Sequence, residues 1–116
     1  MTNLTLAQLR IANVSRCTRW HKNGIDDWSL SDWGVAMAGE AGETCNVIKK
    51  INRARDEMVG NKEDIDELRL MLANELADTL IYIDLLAARA GINLEAAVVT
   101  KFNDVSIKHG FPERLS

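Results

Sequence analysis

The chain has 116 residues, 47% apolar and 27% charged, which suits one globular domain over residues 1–116 and leaves no room for a second. Seven glycines, one proline and 5% aromatics disfavour a turn-rich β-sandwich and exclude collagen-like or disordered chains, so helices are the expectation. Fourteen Lys and Arg against seventeen Asp and Glu give a net charge of -3, which offers no electrostatic footprint for nucleic acid as a partner.

Thr5 and Gln8 have the form of a capping box. Leu6, Leu9, Val14 beside Asn13, Cys17 and Trp20 then recur at helical spacing, which predicts a first helix over about Leu6 to His21. Residues 22–27 (KNGIDD) carry turn chemistry. Ser29 with Asp32 opens a second helix through Trp33, Met37, Glu40, Thr44, Val47, Ile48 and Ile51 to about Ala54, nearly 40 Å long at about 1.5 Å per residue. The polar stretch 55–63 (RDEMVGNKE) breaks the apolar period and reads as a connection.

From Asp64 the period resumes through Ile65, Leu68, Leu72, Leu76, Thr79, Ile83 and Leu86 and closes at Gly91, a residue suited to the left-handed position past a helix end. The second half of this third helix, LIYIDLLAA, is apolar nearly all round, which requires several neighbours to cover it. Asn93 is a natural N-cap for a fourth helix through Leu94, Val98, Phe102 and Val105 that ends before Gly110. The prediction is therefore an all-α bundle of four to five helices with two long antiparallel ones. A domain this small covers that much apolar helix most easily by oligomerising.

No stretch reaches the roughly 18 apolar residues of a membrane span, and the first residues lack the basic start and apolar run of a signal peptide. The expectation is a cytoplasmic protein with no membrane partner. Cys17 and Cys45 fit no Cys/His ligand spacing and read as reduced thiols.

Glu40 and Glu43 form an E-x-x-E pair on the second helix, and Glu75 and Asp78 an E-x-x-D pair on the third. Residues three apart share a helix face, and both pairs sit among apolar neighbours: Met37 and Val47, Met71 and Tyr82. Glu43 lies twelve positions before Arg55 and Glu75 twelve after Glu63, so an antiparallel hairpin would bring Glu43 opposite Glu75 and Glu40 opposite Asp78. Burying even one ionised carboxylate uncompensated costs several kcal/mol, so four must be protonated, paired with bases or bound to cations. An all-oxygen donor set with room for water and phosphate suits Mg²⁺ better than Ca²⁺, with Mn²⁺ a competent substitute. The plain alternative is surface charge on amphipathic helices.

The stretches GEAGETCNVIKK, ELADTLIYIDLLA and KFNDVSIKHGFPERL together resemble the MazG-like all-α nucleoside triphosphate pyrophosphohydrolases, which share an E-x-x-E followed by an E-x-x-D. The resemblance spans about Trp20 to Leu115 and is strongest to the small single-domain MazG-like and dCTP pyrophosphatase-like members. It implies hydrolysis of a (deoxy)nucleoside triphosphate to the monophosphate and pyrophosphate, clearing surplus or damaged nucleotides. It also implies Mg²⁺ held by Glu40, Glu43, Glu75 and Asp78, with Glu40 or Glu43 as the proton acceptor, and assembly as a homotetramer or homodimer. A dUTPase, a phosphoribosyl-ATP pyrophosphohydrolase and a non-catalytic helical interaction module are the competing readings.

Further candidates surround the acids. Trp20, His21, Trp28 and Trp33 cluster upstream and can stack a nucleobase, an arrangement similar to that of related enzymes, or pack the core. Tyr82 shares the face of Asp78 and can reach a sugar or serve as a core tyrosine. Lys101, Asn103 and Lys108 lie in the segment that in relatives contacts phosphates or sugar. Lys49, Lys50 and Arg53 follow Glu43 by one to two turns and can reach phosphates; exposed solubilising charges are the alternative for all of these cations.

Overall fold

Local signals fix the helix ends in the computed structural model, which describes residues 3–116. α1 (Leu6–Trp20) starts at the expected capping box: Thr5 Oγ1 accepts from Gln8 N at 3.0 Å, and Thr5 N donates to Gln8 Oε1 at 3.0 Å. α2 (Leu30–Arg55) repeats the device with Ser29 and Asp32. α3 (Ile65–Arg89) is capped by Asp64, and α4 (Leu94–His109) by Asn93. Gly91 and Gly110 each take a φ of 70°, as the predicted terminators should. One short element differs from expectation: the turn-like stretch after α1 winds into a 3-10 turn, Gly24–Asp27, with Asn23 N donating to Asp27 Oδ2.

α2 and α3 form the most extensive interface and run antiparallel: Lys50 meets Glu63, Thr44 meets Thr79, and Trp28, just before α2, meets Arg89. α1 packs across α3 and the 3-10 turn. Where they meet, Cys17, Trp33 and Leu85 are buried, with Ile25, Trp28, Ile81, Tyr82 and Leu86 packed around them. Burial pushes the Cys17 thiol up from its ordinary pKa, and Asp27 adds to the shift, so the thiol stays protonated and inert. α4 leans mainly on α1.

α1 is tied to α3 by a polar network. Asp84 is fully buried and accepts from Arg10 Nε at 2.9 Å and from Asn13 Nδ2 at 3.1 Å. Asn13 Nδ2 also reaches Ile81 O at 2.9 Å, while Arg10 Nη2 holds Ile92 O at 2.8 Å.

The four helices do not close on themselves. The radius of gyration is 17.4 Å, whereas a compact domain of this length has about 13 Å. The accessible surface is 8384 Å², against roughly 6,300 Å² for a compact monomer of this mass. Much of the excess is apolar, including Leu76 and Leu80 on α3 and Val98, Phe102 and Val105 on α4. No described helix is long and apolar enough to cross a membrane.

Candidate metal and nucleotide site

The α2–α3 hairpin brings together three of the four acids singled out by the sequence. Glu40, Glu75 and Asp78 each offer an oxygen, and these atoms lie within 4.8 Å of one another. Glu40 and Glu75 are half-buried and Asp78 is exposed. None of the three enters an ion pair among the described residues. Partial burial first, then the charges of Asp78, Glu75 and Glu43, raise the Glu40 carboxyl above its ordinary pKa.

Glu43 stands apart from this triad. It is exposed and lines an adjoining groove together with Glu75. Glu40 meets Asp78 as the hairpin reading expects, their oxygens within 4.8 Å, and Glu43 lines one groove with Glu75. Between the helices at this level Thr44 Oγ1 lies 3.2 Å from Thr79 Oγ1. Each hydroxyl also bonds back one turn, Thr44 to Glu40 O at 3.1 Å and Thr79 to Glu75 O at 2.8 Å. Glu40 and Glu75 each lie one turn before a threonine on their own helix, and with Asp78 they bring their oxygens within 4.8 Å of one another.

The aromatic residues form a second cluster on the same hairpin, Trp33 two turns before Glu40 and Tyr82 one turn after Asp78. The His21 and Trp28 rings meet edge-on with centroids 4.8 Å apart, while Trp28 and Trp33 at 4.7 Å and Trp33 and Tyr82 at 6.3 Å are tilted. Trp33 is buried and donates from Nε1 to Ile25 O at 3.1 Å, so it is a core residue first. The cavity lined by Trp20, His21, Trp28, Trp33 and Tyr82 measures about 30 Å³, room for a water molecule and not for a nucleobase without rearrangement. Trp20 is 68% exposed, with the Arg16 guanidinium 5.3 Å from its ring centre.

The lysine candidates separate. Lys50 lines the groove beside Glu43 and Glu75, and its Nζ is bonded to both carboxylate oxygens of Glu63 at 3.0 and 3.2 Å. Lys101 and Lys108 are exposed on α4, an element that packs mainly on α1. Asn103 clasps the C-terminal tail, donating to Leu115 O at 2.9 Å and accepting from Leu115 N at 2.7 Å. The sequence reading passed over Arg10, Asn13 and Asp84 as a unit; the signal was present in Asn13 and Asp84, two polar residues placed within apolar helical stripes.

No family model and no curated protein matches the chain.

Proposed function

We propose that the protein is a magnesium-dependent nucleoside triphosphate pyrophosphohydrolase, as the resemblance to the MazG-like enzymes implies. The observation that carries the reading is the convergence of Glu40, Glu75 and Asp78, three carboxylates from two helices with no ion-pair partner among the described residues. The donor set fits a hard divalent cation: it is all oxygen, it is open to solvent at Asp78, and it leaves places for water and phosphate. Glu40, Glu75 and Asp78 would hold Mg²⁺, or Mn²⁺ in its place. When bound there, the ion supplies charge neutralisation for the triphosphate and acidification of water.

The chain's own side chains do the rest. Glu43, outside the triad and beside Glu75, keeps a carboxylate to take the proton from water as its oxygen bonds to the α-phosphorus and the bond to the β-phosphate oxygen breaks. Glu40 is the alternative acceptor. The rim formed by Trp20, His21 and Trp28 offers ring faces and edges to a base.

Assembly as a homodimer or homotetramer belongs to the same proposal. The accessible surface exceeds that of a compact monomer by about 2,000 Å², a share per subunit of the size that obligate interfaces bury.

The test is a panel of ribo- and deoxynucleoside triphosphates together with phosphoribosyl-ATP, each with Mg²⁺. Release of pyrophosphate and monophosphate, lost with chelator and reduced at least a hundredfold by Asp78→Ala, is the expected outcome. Turnover of dUTP alone would indicate a dUTPase, and turnover of phosphoribosyl-ATP alone the corresponding pyrophosphohydrolase. No metal-dependent turnover of any of them sinks the enzyme reading in favour of a helical interaction module.

A further inference from the structure

Beyond the acidic triad, α2 and α3 enclose a groove of about 360 Å³. Val47 and Met71 line it, Glu43 and Glu75 mark its acidic end, and Lys49, Lys50 and Arg53 its basic end. These cations are not equivalent. Lys50 is neutralised by Glu63 at 3.0 Å. Lys49 and Arg53 enter no ion pair among the described residues, and Asp56, the acid nearest to Arg53 in the chain, is taken by Arg55 at 2.8 Å. Arg53 is moreover half-buried, and a partly desolvated guanidinium with no anion is a recognition group without its partner.

The order along α2 supplies the direction. Trp33 comes first, then Glu40 and Glu43, then Lys49 and Arg53: aromatic rings, carboxylates, free cations. Glu43 and Arg53 line the same groove and are separated by about 15 Å of helix, a span in which the phosphate chain of a nucleotide can lie. A nucleotide with its base at the aromatic rim and its α-phosphate at the carboxylates would extend its remaining phosphates into this groove.

Resting on the pyrophosphohydrolase reading, we propose that Lys49 and Arg53 bind the β- and γ-phosphates of the substrate, holding the leaving pyrophosphate in the groove and making the site select triphosphates over diphosphates. Guanidinium and ammonium groups bind phosphate oxygens by charge-assisted hydrogen bonds, the stronger class of such bonds. Glu43 and Glu75 at the other end repel a bare polyphosphate, so binding requires Mg²⁺.

Calorimetric titration of the full chain with inorganic pyrophosphate, with and without Mg²⁺, tests the assignment independently of turnover. The wild type should bind pyrophosphate only with Mg²⁺ and orthophosphate much more weakly. Arg53→Ala and Lys49→Ala should each weaken pyrophosphate at least about tenfold, Arg53→Lys less, and Lys22→Ala, in the exposed turn after α1, not at all. Lys49 is exposed, so its variant keeps the test sound if Arg53→Ala disturbs the helix, which circular dichroism reads. Wild-type protein that ignores pyrophosphate, or Lys49 and Arg53 variants that bind it undiminished, would overturn the proposal. In turnover, Arg53→Ala should raise KM for the triphosphate and narrow the preference for triphosphate over diphosphate. An unchanged preference in an active enzyme refutes the groove and leaves the pyrophosphohydrolase reading standing. Arg53-dependent pyrophosphate binding without turnover does the reverse.

Discussion

Thr44 and Thr79 touch across the α2–α3 interface, hydroxyl to hydroxyl at 3.2 Å, and this contact sets the level at which the acids of the two helices meet. Short side chains at the crossing let the helices approach, while the glutamates one turn away on each bring like charges together.

That crowding gives the first prediction. With Glu40 raised above its ordinary pKa by burial and by Asp78, Glu75 and Glu43, folding without metal works against repulsion. Glu40→Gln should therefore raise the melting temperature of metal-free protein by a few degrees. Wild type should instead gain from Mg²⁺, by about 2.7 kcal/mol at a hundredfold excess over Kd, and the variant should lose that response. Equal melting of wild type and variant in chelator and in Mg²⁺ would show that the carboxylates neither repel nor bind.

The Arg10–Asp84 tie gives the second. Asp84→Ala leaves Arg10, 25% exposed at its side chain, without its anion and Asn13 with one bond fewer. Breaking such a pair costs about 3 kcal/mol, the lower end of the range for buried pairs because Arg10 keeps some water. Urea unfolding should show it as a lower midpoint. A loss well under about 1 kcal/mol would mean that the network does not hold α1 in place.

Acid should loosen the connection between α2 and α3. The Lys50 ammonium bonded to Glu63 holds that carboxyl below its ordinary range despite some desolvation. The folded state thus binds the proton less readily than the unfolded chain. The stabilisation is fully present above the ordinary carboxylate pKa and disappears as pH falls through the lowered value. The effect is modest because water reaches the pair. Thermal melts of wild type and Glu63→Gln should differ at pH 7 and converge toward pH 3; a constant gap would contradict the pairing.

The apolar stripe of α4 gives the fourth. Val98, Phe102 and Val105 are each more than 40% exposed at helical spacing. Sedimentation of the wild type at micromolar concentration should show a dimer or tetramer, and Phe102→Glu should shift it toward monomer by desolvating a charge in the interface. A monomeric wild type would leave the open shape unexplained by self-association.

What could be read in advance was local. Thr5 with Gln8, Ser29 with Asp32, and Gly91 announce helix ends because the interactions span three or four residues. The long acidic helices followed from periodicity. The meeting of Glu40 with Asp78 followed from counting residues to the connection, but the folding-back of the connection itself did not: Asn61 Nδ2 donates to Lys50 O at 2.6 Å and Met58 N to Arg53 O at 2.9 Å. Glu57 takes a φ of 55° in the same segment. The groove cations Lys49 and Arg53 looked like solvated charge, since only the opposing Met71 and Glu75 make a groove of them.

The distance along the chain between Asp84 and its donors has a kinetic meaning. Arg10 precedes it by 74 positions and Asn13 by 71, so α1 leaves the ribosome long before the anion that anchors it exists. Closing so wide a loop is entropically slower than zipping a helical hairpin, so α1 should dock last, onto an α2–α3 pair already formed. Until then the indole of Trp33 and the thiol of Cys17 lack their cover, and the nascent polypeptide is at its most vulnerable to aggregation.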